Sequence, residues 1–255
     1  MKVAVLGALG KMGSEVVRAV QADSTLQLAM AIDPAFAETA PLQGVASETD
    51  ISAAAGCDAV IDFTHPDALA GNLSWCIENR VDAVVGTTGL AEPDREVLAK
   101  RAEAASVRIF LVPNFAIGAV LMMRFASEAA KHLPFVEITE LHHDQKADAP
   151  SGTALQTARS IESARDGDAP TRARESVETM PGARGADAGD QIRIHSIRLP
   201  GLIAHQEVLL SGPGELLTIR HDSLDRKGFM PGVILATRKI KDLPSGLTVG
   251  LEAVL

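Results

Sequence analysis

The densest chemistry in the chain is one continuous segment, Glu140-Leu141-His142-His143-Asp144-Gln145-Lys146-Ala147-Asp148-Ala149-Pro150-Ser151-Gly152-Thr153-Ala154. A histidine with a pKa near neutrality can hand a proton to a reacting carbon. If the chain is extended here, His142 and His143 point to opposite faces and need not share a task. Lys146 adds a compact positive charge three residues on. Behind Pro150, the residues Ser151, Gly152 and Thr153 open a helix whose first N–H groups, with the Thr153 hydroxyl, form an anion-binding start. That set of groups suits a substrate carrying carboxylates. A metal site on the histidine pair, or a polar strand end without chemistry, are the other readings. No third and fourth ligand occur at matching spacing, so no metal is expected.

A second constellation lies at the N-terminus. Gly7-Ala8-Leu9-Gly10-Lys11-Met12-Gly13 follows an apolar run and leads into a helical pattern, and Asp33 closes the next apolar run. Glycines permit a tight turn and close approach of backbone to a pyrophosphate, while the helix start supplies N–H groups and partial positive charge. Asp33 would accept hydrogen bonds from the adenosine ribose and repel a 2′-phosphate, and Pro34 follows it in place of a neutralising arginine. NADH is therefore expected to bind at least as well as NADPH, with Lys11 leaving dual use open. Two further loops, Gly86-Thr87-Thr88-Gly89 and Val112-Pro113-Asn114-Phe115, sit where strand ends should meet the cofactor. Thr87 and Thr88 would bond the nicotinamide ribose and Asn114 the carboxamide, although each loop alone is equally an ordinary turn.

These residues need a scaffold. Apolar runs at 2–6, 26–32, 59–63, 83–85 and 108–112 alternate with helical patterns at 12–21, 66–79, 92–105 and 117–132, the signature of βαβ units and a parallel sheet. The first half is expected to be a Rossmann-type doubly wound α/β domain. After Pro134 the pattern changes. A long alternating segment at 136–144 and a helix at 151–164 precede a polar stretch, 166–190, that reads as a mobile loop. Strand patterns at 192–199, 203–210 and 216–221 follow, with a Ser211-Gly212-Pro213-Gly214 turn between the last two. This block reads as an α+β domain with a mixed, mostly antiparallel sheet. A final helix at 230–237 and a strand at 248–251 resume the earlier style and are expected to return to the first domain. The division is thus 1–115 completed by 228–255, with 116–227 between, and hinges near 115–118 and 226–228.

With 255 residues the chain can bury a substantial core. A net charge of −9 argues against nucleic-acid or anionic-membrane partners, and one Trp with no Tyr leaves little stacking surface. No run reaches the roughly 18 apolar residues of a membrane span. The two cysteines, Cys57 and Cys76, make no disulfide framework. A cytoplasmic, reducing setting is expected.

Over essentially its whole length the sequence resembles the dihydrodipicolinate reductase family (4-hydroxy-tetrahydrodipicolinate reductases). The matching landmarks are Gly7 to Gly13, Asp62-Phe63-Thr64-His65-Pro66, Gly86 to Gly89, Pro113-Asn114-Phe115 and, most diagnostic, Glu140 to Ala154. His195 to Glu207 and Arg220 to Ser223 are similar too. The resemblance implies NAD(P)H-dependent reduction of 4-hydroxy-tetrahydrodipicolinate in the diaminopimelate route to lysine. By similarity His142 is the acid/base residue and Lys146 the second proton donor or cationic stabiliser. His143, Gly152 and Thr153 would hold the carboxylates, and the second domain's sheets would join into a homotetramer. The family reading departs at Asp33-Pro34, where some members carry an acid followed by arginine. Two competing readings are another two-domain NAD(P)-dependent amino-acid or aldehyde dehydrogenase and a non-enzymatic dinucleotide sensor. The roles of His195, Arg198, His205, His221 and Arg226 stay open at this level.

Overall fold

The computed structural model describes residues 1–165, 170–171 and 177–255, which form two compact units, Met1–Ile117 with Arg226–Leu255, and Gly118–Asp225. Along the chain the first unit contains β1 (Lys2–Leu6), α1 (Gly13–Ala22), β2 (Gln27–Ile32), β3 (Ser47–Glu48), β4 (Ala59–Asp62), α2 (Pro66–Asn79), β5 (Asp82–Val85), α3 (Glu92–Ala104) and β6 (Arg108–Leu111). Helix α4 (Ile117–Ala130) leads into the second unit, with β7 (Phe135–His142), α5 (Gly152–Ala164), β8 (Ala186–Asp187), β9 (Arg193–Arg198), β10 (Ala204–Gly212) and β11 (Glu215–Ser223). The chain then returns to the first unit through α6 (Met230–Lys239) and β12 (Gly246–Val249).

The first unit's sheet has the order β12-β6-β5-β4-β1-β2-β3, and every neighbouring pair in it is parallel. All four residues of β4 and of β5 are buried, as strands covered on both faces must be. The order 3-2-1-4-5-6 reverses direction between β1 and β4, and ligands of open α/β sheets bind at such a switch point. Strand β3, absent from the sequence reading, is too short and polar to leave a pattern. It is an edge pair bonded only to β2.

The second unit's sheet has the order β11-β10-β7-β9-β8, with β7 and β9 parallel and the other pairs antiparallel. The hairpin β10–β11 turns on Pro213-Gly214, where proline fixes its own φ and Gly214 has φ of 81°. Helix α5 presents Ala154, Thr157, Ala158 and Ile161 to the core, a stripe at helical spacing. These join Val136, Ile138, Ile194, Val208 and Leu210 beneath the sheet. The expected loop 166–190 falls partly outside the described residues. Within the described part, β8 corrects it: Ala186 and Asp187 pair with Ile194 and Arg193, helped by an Arg193–Asp187 ion pair of 3.2 Å. Two residues give no period to read.

Candidate active site

In the first unit, β1 ends at the glycine loop. Gly7 has φ of 74°, and a Cβ there would lie 2.4 Å from the Phe63 carbonyl oxygen. At Gly13 a Cβ would lie 1.9 Å from the Gly7 carbonyl oxygen, so a side chain at either position would displace backbone. The loops after β1 and β4 therefore touch at the switch point. No side chain caps the start of α1, although the Ser14 N–H in its first turn already donates to the Gly10 carbonyl at 3.0 Å. A cavity of about 500 Å³ opens beside this loop, lined among others by Gly7, Gly10, Asp33, Asp50, Thr64 and His65. Asp33 accepts from the Leu9 N–H at 2.9 Å and from the Ala35 N–H at 3.0 Å, which fixes the carboxylate at the cavity wall. Ala8 is buried, Met12 half-buried, and Lys11 exposed.

Asp62, fully buried at the end of β4 and carrying no assigned role in the sequence, organises two of these loops. Its Oδ1 accepts from the Thr64 N–H (2.9 Å) and hydroxyl (2.7 Å) and from the Thr87 hydroxyl (2.7 Å), and its Oδ2 from Asn72 (2.8 Å). The Thr87 hydroxyl is thus engaged internally, not turned toward a ribose, because a buried carboxylate needs donors. Thr88 is exposed and Gly86 abuts the Phe63 ring. Val112 and Phe115 are buried. Phe115 packs on Phe63 with ring centroids 5.5 Å apart, Pro113 is exposed, and Asn114 Oδ1 accepts from the Ala116 N–H.

In the second unit, β7 buries Val136, Ile138 and then Glu140 on one face. A carboxylate in that row needs partners, and it has a full set. Arg198 on β9 grips it with two hydrogen bonds of 2.8 Å, the Ser151 N–H donates to Oε1 at 3.2 Å, and His142 Nδ1 lies 2.5 Å from Oε2. Burial works to raise the Glu140 pKa, but hydrogen bonds from Arg198, Ser196 and His142 outweigh it and hold the carboxyl below the usual range. Burial pushes the His142 imidazole below its ordinary value despite Glu140, with Lys146 and Arg198 adding to the lowering. His142 ends the strand, and His143 stands beyond it, exposed.

Lys146 Nζ donates to Asp148 at 2.7 Å, so its charge is already part-balanced in the resting protein. Arg198 also donates to the Asp148 carbonyl, tying the loop to β9. The helix start differs from expectation at Ser151. Its N–H serves Glu140 and its hydroxyl oxygen accepts from the Ala154 N–H as the N-cap, so the N–H expected to meet an anion is engaged internally. Gly152 follows with no heavy atom within 4 Å of where a Cβ would stand, and Thr153 completes the first turn. Among the described residues no cluster of His, Cys, Asp and Glu could hold a metal. Sequence reasoning left Arg198 undecided and gave Glu140 no role. The second was readable, because residues two apart on a strand share a face.

A doubly wound nucleotide unit and a separate unit presenting a histidine–carboxylate pair beside an open helix start define an oxidoreductase that uses a nicotinamide dinucleotide. Family comparison makes this specific. Residues 1–115 match the N-terminal and 118–255 the C-terminal model of dihydrodipicolinate reductase, and the chain belongs to that family. The 4-hydroxy-tetrahydrodipicolinate reductase of Mycobacterium marinum is 51% identical over 256 residues, covering all of this chain and 99% of that protein. The reductase of the same name from Thermobifida fusca is 49% identical over 264 residues, again covering all of this chain and 99% of that protein. The solved dipicolinate-bound dihydrodipicolinate reductase from Paenisporosarcina sp. TG-14 matches with a TM-score of 0.90 at 39% identity, covering 100% and 99% of the two chains. A probable dehydrogenase from Thermotoga maritima, 12% identical with a TM-score of 0.67 over 99% of this chain and 92% of that one, shares the fold alone.

Proposed function

We propose that His142 is the proton donor and that Lys146, Gly152, Thr153 and His143 receive the carboxylates of a small dicarboxylate substrate. The reaction itself, reduction of 4-hydroxy-tetrahydrodipicolinate in the diaminopimelate route to lysine, follows from membership of the family. The single observation that carries the residue roles is the convergence of an imidazole, an ammonium and an uncrowded helix start on one segment, residues 142–153. When bound, the dinucleotide would supply hydride to a ring carbon of the substrate made conjugated by loss of its 4-hydroxyl as water. The glycine loop and the start of α1 would hold its pyrophosphate, and Asp33 the adenosine ribose.

The protein's own part is electrostatic and protonic. In the resting state His142 is neutral near pH 7, because its pKa is lowered. A dianion brought beside the ring favours the imidazolium and restores the donor. Lys146, shared with Asp148 at rest, turns to a substrate carboxylate and stabilises negative charge that grows as hydride arrives. His142 then delivers its proton to carbon.

NADH is the cofactor this reading favours, at least as strongly as NADPH. Two carboxylates, Asp33 and Asp50, line the cavity and no lysine or arginine does. Assembly as a homotetramer through the second unit's sheet is part of the proposal. Helices cover one of that sheet's faces, while Thr139, Leu141, Ile197 and Leu209 on the other stay half-exposed. A cytoplasmic setting suits the two free thiols and a soluble reduced cofactor. The test is oxidation of NADH or NADPH with substrate freshly made from pyruvate and aspartate semialdehyde. Substrate-dependent turnover at least as efficient with NADH is expected, and oxidation indifferent to substrate would reject the reading.

A further inference from the structure

We infer that Glu140 is the positioning residue of His142. Clamped by Arg198, its carboxylate holds the Nδ1 proton, so that Nε2 is the nitrogen that exchanges a proton with the substrate. The inference rests on the proposed role of His142 and adds what fixes its tautomer and aim.

Four observations support it. Glu140 is fully buried, so its lone pairs must be met by the protein. Both oxygens are bound by Arg198 in a two-pronged arrangement that leaves little freedom to rotate. The Ser151 N–H approaches Oε1, which leaves Oε2 for the imidazole at 2.5 Å. An ionised oxygen at that distance accepts and does not donate, so Nδ1 bears the hydrogen and Nε2, on the far side of the ring, carries the lone pair. One carboxylate thereby links β7, β9 and the start of α5, and the ring's orientation follows from the sheet rather than from a mobile loop. Arg198 has a second consequence. It keeps Glu140 ionised, so the proton delivered to substrate comes from the imidazole and is not passed on from the carboxyl.

The decisive measurement is on the unaltered protein. Histidine labelled with 15N, with the His142 signals assigned by their loss in His142→Gln, reports which ring nitrogen is protonated. A single Nδ1–H tautomer near neutral pH is expected, and an Nε2–H tautomer or an equal mixture overturns the inference. Glu140→Gln puts an amide donor where Arg198, Ser151 and His142 all donate. It should mix the tautomers and lower kcat by about 10–100-fold, the scale of lost outer-shell partners, with a smaller change in KM. Glu140→Asp keeps the charge and should retain the tautomer in part, with kcat between the two. If Glu140→Gln does not fold, the wild-type tautomer and the Asp variant still decide. A merely structural Glu140 would lower Tm while leaving tautomer and kcat unmoved, which also overturns the inference. Full turnover in His142→Gln would instead remove the proposed acid itself, a separate outcome.

Discussion

Glu140 and His142 share a strand face because they are two residues apart, and His143 leaves that face because it is one further on. Their chemistry thus comes from β periodicity as much as from residue type. His142→Gln should lower turnover by about 10²–10⁴-fold, the usual contribution of a positioned acid, while dinucleotide affinity measured by fluorescence stays near wild type. Lys146→Ala should reduce both turnover and substrate affinity, and also free Asp148, whose carboxyl the lysine's hydrogen bond holds below its ordinary range. Normal kinetics in either variant would remove that residue from its role. His142, Lys146 and the Gly152-Thr153 start were legible because they lie within one segment. Arg198 was not, because it reaches Glu140 from 58 residues away and only the parallel pairing of β7 and β9 joins them. The engagement of Thr87 was hidden for the same reason, since it serves a buried carboxylate on β4, and that of Ser151 because only the folded loop brings its N–H back onto Glu140.

At the scale of elements, the glycine loop is a backbone device, and its failure should be abrupt. Gly13→Ala would drive a methyl into the Gly7 carbonyl, where the neighbour cannot swing aside. A loss of about 1–3 kcal/mol is expected from such overpacking, with dinucleotide binding reduced much further because the loop opens. Urea unfolding and a cofactor titration measure the two, and an unperturbed titration would mean that the loop does not hold the pyrophosphate. The helices and longer strands of the first unit were readable to within one or two residues, but the strand expected at 248–251 lies two residues earlier, at Gly246–Val249, because the chain turns at Gly250 and Leu251 opens a short 3-10 helix. Strand α/β units covered on both faces leave unbroken apolar runs, and α2 occupies Pro66–Asn79, the span its pattern indicates. Short elements were not readable: β3 and β8 have two residues each and exist only through their neighbours.

For the molecule as a whole, acidity and stability are coupled in one direction. Burial lowers the pKa of His142 and of His221, so the folded state takes up those protons later than the unfolded chain does. Their contribution is present above the unfolded value of 6.5 and is lost as pH falls below it. Glu137, Glu140, Asp148 and Asp222, held low by ion pairs and hydrogen bonds, add stability that is lost on further acidification, below about 4.5. Thermal unfolding should therefore be level from about pH 7 to 8 and fall in two stages below, whereas a constant Tm from pH 7 down to 5 would contradict the assigned burial of the two imidazoles.

The net charge of −9 makes the receipt of a dianion a local achievement, resting on Lys146 and a helix start rather than on the molecule's general field. A crystal structure of this protein with pyridine-2,6-dicarboxylate tests that most directly. One carboxylate is expected on the N–H groups of Gly152 and Thr153, the other within reach of Lys146, and the ring beside His142 Nε2. The compound lodged away from residues 142–153, with Lys146 still on Asp148, would contradict that placement.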